Sequence, residues 1–121
     1  MPVFLKYGDI KGDVTEPAHR SWIELTSVQL PTNRSSVSEI IVTKVADSAS
    51  SDLFRESMSG QGVPAVIDFL RDDGTVYLRV EMSGTMISSY SVSGTGDSSM
   101  ETITLNFTKL EFKSTPGTPA P

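Results

Sequence analysis

Apolar and polar residues alternate with a period of two along most of this chain, a spacing that sends successive side chains to opposite faces of a strand. Val3, Leu5 and Tyr7 alternate with Phe4 and Lys6, which predicts a first strand ending at Gly8 and Asp9. Residues 11–17 are rich in turn formers, and Trp22, Ile23, Glu24 and Leu25 resume strand character up to about Leu30. Apolar parity slips between Ile23/Leu25 and Val28/Leu30, and again between Phe107 and the pair Leu110/Phe112. Each slip predicts a bulge or a strand bending between two sheets, and two of them suit a closed, coiled barrel better than a flat sheet.

Ile40 and Val42 mark a third strand running to Val45. One helix follows: Ser50 is a suitable N-cap, Asp52 sits in the first turn, Leu53, Phe54 and Met58 supply an apolar face, and Gly60 ends it. At about nine residues it is too short to persist alone and must dock on the strands. Pro64 restarts extended chain, which leads through residues 66–70 into the hairpin signal Asp72, Asp73, Gly74. Val76, Leu78, Val80 and Met82 then alternate with Tyr77, Arg79 and Glu81. Ser83 and Gly84 predict a turn into a strand over residues 85–93, residues 94–99 a loop, and residues 100–113 the last long strand. The fold class is mostly β: a small closed or sandwich-like antiparallel β-barrel with one short α-helix on its side.

Composition sharpens this picture. The chain's 121 residues suit one domain, placed at residues 1–113, with a Pro-rich disordered tail at 114–121. Fifteen acidic against ten basic residues give a net charge of −5, which argues against nucleic acid or an anionic membrane as partner. Cysteine is absent, which removes disulfides, thiol catalysis and thiolate metal sites. No segment reaches the roughly 18 apolar residues of a membrane-spanning helix, and the N-terminus lacks a signal-peptide pattern. The chain is expected to begin in a cytosol and, if it leaves the cell, to use a route that needs no cleaved signal.

Candidate chemistry is sparse. His19 is the one histidine, and with Asp9, Asp13 and Glu16 it makes a poor metal set; a histidine orienting a loop is the better reading. No G-x-S-x-G elbow accompanies it, and the glycines at 60, 62, 94 and 96 lack the G-x-G-x-x-G order of a phosphate loop. Trp22, Tyr7, Tyr77 and Tyr90 lack interleaved cations and read as core or interface aromatics. Catalytic, cofactor and metal residues are therefore expected to be none. The polar strand Ser88, Ser89, Tyr90 and Ser91 gains little from burial, so it faces solvent, lines a lumen or pairs with a neighbour's edge.

Residues 87–112 read ISSYSVSGTGDSSMETITLNFTKLEF. They resemble the late strands of the haemolysin-coregulated protein (Hcp) family, with its V-S-S-x-S-V-S-G-x-G and E-x-V-T-L-N-F-x-K pattern. Three more pieces agree in order: Phe4, Leu5, Lys6 with Gly8, Asp9, Ile10, Lys11, Gly12; then His19 with Trp22, Ile23, Glu24, Leu25; then Thr43, Lys44, Asp47, Leu53, Gly60 and Pro64. The resemblance implies a non-enzymatic β-barrel with a lateral helix that self-associates into six-membered rings and stacks them into the tube of bacterial type VI secretion. It further implies secretion components or effectors as partners, with no nucleic acid and no membrane insertion. The family's ring-stacking loop is shortened here to Pro31, Thr32, Asn33, Arg34, Ser35 and Ser36, and its Trp-containing C-terminal strand is replaced by the Pro-rich tail. The alternative reading is a trimmed monomeric binding module outside the tube that holds a protein or glycan.

Overall fold

The alternating segments pair into antiparallel ladders in the computed structural model, which describes residues 2–30, 39–59, 61–95 and 98–114. The strands are β1 (Val3–Tyr7), β2 (Ile23–Leu25), β3 (Ser27–Gln29), β4 (Glu39–Val45), β5 (Val63–Leu70), β6 (Val76–Thr95), β7 (Ser98–Asn106) and β8 (Lys109–Ser114), with helix α1 (Ser50–Ser59) between β4 and β5. The hydrogen-bonded order is β2-β1-β5-β6-β7-β4-β3, and β8 adds to β6. The first part of β6 pairs with β5 and β8, and the second part with β7.

Corners turn this path into two facing sheets, as strands that switch sheets through bulges do. The first corner is Thr26: β2 pairs with β1, β3 pairs with β4, and the Thr26 amide donates to Thr43 O at 2.8 Å. This is the parity slip read between Leu25 and Val28. Among the described residues no ladder joins the two ends of the path, so the sheet is sandwich-like and not closed; its ends meet through the chain itself at Thr26.

The second corner corrects a sequence expectation. Ser83 and Gly84 do not turn the chain back but form a bulge inside the 20-residue β6. Val63 faces Thr85 while Ala65 faces Met82, so β6 spends one residue more than β5 over the same span. Gly84 has φ +60°, and a Cβ there would meet Thr108 Oγ1 at 2.6 Å. Opposite it lies the third corner, at Phe107 and Thr108, which divides the expected last strand into β7 and β8. The Thr108 amide and hydroxyl both donate to Ser83 O, at 2.9 and 3.1 Å.

Between the sheets lies a core that includes Leu5, Ile23, Ile40, Val42, Ile67, Val80, Ile103 and Leu105. Each such side chain contributes about 1.5–3 kcal/mol by leaving water. Tyr7 is buried with them and its hydroxyl donates to Thr85 O at 3.2 Å; burial, and then the Glu56 charge, push it up to about 12. A second, smaller cluster of Phe4, Val14 and Leu70, with Trp22 and Val76 against it, lies apart from this core. Val14 and Trp22 bring the loop of residues 9–22 into that cluster.

Helix α1 starts differently from the expectation. Asp47 Oδ1 accepts the Ala49 amide at 2.9 Å while Ser50 Oγ accepts the Asp47 amide at 3.0 Å, a reciprocal cap with Asp47 in the N-cap role and Ser50 as its partner. The buried face is also narrower. Leu53 and Ala49 are inaccessible, whereas Phe54 is 50% and Met58 74% exposed.

Candidate assembly surface

The polar residues of β6 lie on a broader surface formed by β6, β7, β4 and β3. Register places Ser89 beside Thr104, Ser91 beside Thr102 and Ser93 beside Met100. It then places Thr102 beside Thr43, Thr104 beside Ile41, and these beside Ser27 and Gln29. The opposite faces of the same strands carry the buried Ile40, Val42, Ile103 and Leu105, so the hydroxyl-bearing residues point away from the core. Among the described residues no lysine or arginine points outward from this face, and Glu39 is its one formal charge. The hydroxyls also satisfy one another: Thr26 Oγ1 and Thr43 Oγ1 are 2.9 Å apart.

Of the four residues singled out on β6, Ser89 and Ser91 stand exposed on this face. Ser88 sits at the register shift between Ile87 and Ser89, and its hydroxyl donates to Thr104 O at 3.4 Å. Tyr90 points the other way. Its ring packs edge-on against Phe54 at 5.7 Å between centroids, and its hydroxyl donates to Ser50 O at 3.3 Å. Burial, followed by the adjacent Glu101 carboxylate, raises the Tyr90 phenol well above its ordinary value. The six loop residues Pro31, Thr32, Asn33, Arg34, Ser35 and Ser36 lie outside the described residues, as do 115–121. Thr43, Thr102, Thr104, Ser27 and Gln29 were missed as parts of the face. Their polar parity was legible, but the order of the strands was not.

Behind Tyr90 a buried lysine anchors the helix. Lys44 Nζ reaches Glu101 Oε1 at 2.8 Å, Asp47 Oδ1 at 2.9 Å, Val45 O at 3.0 Å and Ser50 Oγ at 3.3 Å. Burial alone would raise the Glu101 carboxyl, but hydrogen bonds from Lys44, Ser50 and Tyr90 outweigh it and hold it below the usual carboxylate value. With two carboxylates and two neutral oxygens around it, this lysine is a charged structural tie and not a free amine.

A second network fixes the loop of residues 9–22. Asp68, fully buried on β5, accepts Arg79 Nε and Nη2 at 2.7 Å each and faces His19 Nε2 at 2.8 Å. His19 Nδ1 meets Glu16, and the ring is packed by Phe4 at 5.2 Å and Trp22 at 4.5 Å. The loop's other side is held where Asp13 accepts the amide and hydroxyl of Ser48, and those bonds lower the Asp13 carboxyl. Among the described residues no group of three His, Cys, Asp or Glu side chains is arranged to hold a metal. The aromatics do not gather either: Tyr7 is in the main core, Trp22 in the smaller cluster, Tyr77 near Phe69 and Arg71, and Tyr90 under α1.

A family model described as "Type VI secretion system effector, Hcp" matches residues 4–113. No curated protein matches the chain. Among solved structures, Hcp1 from Salmonella typhimurium superposes with a TM-score of 0.87 at 26% identity, over 96% of this chain and 88% of that one. Hcp2 from Salmonella typhimurium gives 0.86 at 26% identity, over 95% and 87%. A chain of the PVC sheath-tube complex of an extracellular contractile injection system, in its extended state, gives 0.65 at 16% identity, over 93% and 88%.

Proposed function

The chain belongs to the Hcp family of type VI secretion proteins, a family of structural tube proteins, and from that membership we propose that it is a non-enzymatic tube subunit that self-associates into rings. In this reading the hydroxyl face of β6, β7, β4 and β3 turns inward and lines the lumen, and the protein leaves the bacterial cytoplasm through the secretion apparatus. Cargo passing along such a lumen meets a surface that offers hydrogen bonds and almost no fixed charge, which favours transit over capture. The observation that carries the reading is the composition of that face: Ser89, Ser91, Thr102, Thr104, Thr43 and Ser27 on one side of a sheet whose other side is core.

A cysteine at Ser91 tests it, because the chain has no other thiol. In a ring-sized fraction the Ser91→Cys thiol should react with a small maleimide and resist one carrying a large polymer, and dissociated subunits should react with both. Equal reaction with both reagents in the ring-sized fraction would remove the face from the lumen.

A further inference from the structure

The chain's one histidine is buried between two carboxylates. His19 is 2% exposed, its Nε2 lies 2.8 Å from Asp68 Oδ2, and its Nδ1 meets Glu16 Oε1. An ionised carboxylate only accepts hydrogen bonds, and a neutral imidazole has a single N–H to give. Both of these carboxylates have what keeps them ionised. Asp68 takes two hydrogen bonds from the Arg79 guanidinium, at 2.7 Å each, and Glu16 has 31% of its side chain in water. Each ring nitrogen therefore faces an acceptor and needs a proton of its own.

The surroundings weigh the same way. Glu16 stands at the head of the one-turn helix Pro17–His19, Asp68 comes from β5, and Arg79 reaches Asp68 from β6. β1 contributes the ring of Phe4 and the segment before β2 the ring of Trp22, neither of which carries a charge. Of the nearby cations, Arg79 is 40% exposed and Arg20, next along the chain, is exposed, so water screens their repulsion. The two carboxylates touch the ring directly. With both ring protons in place the group of Glu16, His19, Asp68 and Arg79 is neutral as a whole, and with one it carries a net negative charge around a fully buried carboxylate.

We propose that His19 carries both ring protons in the folded chain and that this makes residues 9–22 a proton-held clasp, in which loss of one proton parts Glu16 from the ring and loosens the loop. The proton that leaves is the one on Nδ1. Nε2 faces Asp68, which has no water to turn to, whereas Glu16 can swing into solvent. A bare Nδ1 would point its lone pair at a Glu16 oxygen, and the two must separate. The turn is then left with its backbone bonds, the His19 amide to Glu16 O at 2.9 Å and the Trp22 amide to His19 O at 3.0 Å, while Asp13 still ties the far side of the loop to Ser48. Loosening it uncovers the cluster of Phe4, Val14 and Leu70. The stabilisation is fully present while the ring holds both protons and is lost as rising pH removes one, the opposite sign to the loss at Glu101 on acidification.

A single histidine makes the test direct, because the imidazole signals in proton–nitrogen NMR of the full chain belong to His19 alone. At about pH 7.5 a free imidazole is about nine-tenths neutral, whereas His19 should show two protonated ring nitrogens. Glu16→Gln offers an amide that can donate to Nδ1, so at the same pH that variant should show a bare Nδ1. In the wild type the protection of the Ser21 and Trp22 amides, measured against their intrinsic exchange, should fall over the pH range in which the second ring proton leaves. A wild-type ring with one bare nitrogen at that pH, or a Glu16→Gln ring protonated as fully as the wild type, overturns the assignment. Amide protection that holds while the proton leaves overturns the clasp. The wild-type spectrum decides the protonation even where the variant does not fold.

Discussion

Asp68 lies fully buried on β5 and is the hub of the loop that covers Phe4 and Leu70. It holds Arg79 in a two-pronged pair and faces His19. Removing it strips the buried His19 Nε2 and a half-buried guanidinium of their shared carboxylate, so Asp68→Ala should cost about 3–5 kcal/mol in urea denaturation, and a change below about 1 kcal/mol would show the network to be dispensable. Gly84 makes a second prediction. With φ +60° and Thr108 Oγ1 at 2.6 Å from the position of a Cβ, Gly84→Ala combines left-handed strain with a clash and should cost about 2 kcal/mol or more, measured the same way. Neither residue's role was visible in the sequence. A lone histidine looks alike whether its partner is near or, as here, 49 positions away, and a glycine after serine reads as a turn when it is a bulge, since both uses need positive φ.

At the scale of elements, α1 is the informative case. Residues 50–59 were legible as a helix from composition and a stop signal, but the docked face was not, because Leu53, Phe54 and Met58 fit helical spacing equally and only Leu53 meets the core. Leu53→Ala should therefore lose about 2–5 kcal/mol, whereas Met58→Ser should stay within about 0.5 kcal/mol, both by denaturant titration. The anchor beneath the helix is pH-sensitive with a fixed sign. Glu101 titrates below its ordinary value of 4.5 in the folded protein, so its stabilisation is fully present above that pH and is lost as the pH falls through the folded value. Melting temperature should thus fall on acidification below about pH 4.5. Glu101→Gln should be less stable at neutral pH and lose less on acidification, and an equal loss in both proteins would place the sensitivity elsewhere.

For the molecule as a whole, the alternating pattern announced a β-protein and the two parity slips announced strands that cross between sheets. Both slips fall at corners, Thr26 and Phe107 to Thr108, because a strand that changes sheets must re-aim its apolar side at the same core. What the pattern could not give was neighbourhood. Thr43, Thr102 and Ser91 become one face only through the order β6, β7, β4 and β3, which depends on pairings between residues as far apart as Val28 and Val42 or Val42 and Ile103. The ring reading draws on that face and on family membership. Sedimentation velocity of the purified chain over a wide concentration range tests it most directly. Self-association into rings predicts a discrete species of about six subunit masses that grows with concentration at the expense of monomer, and a single monomer boundary at every concentration would contradict it.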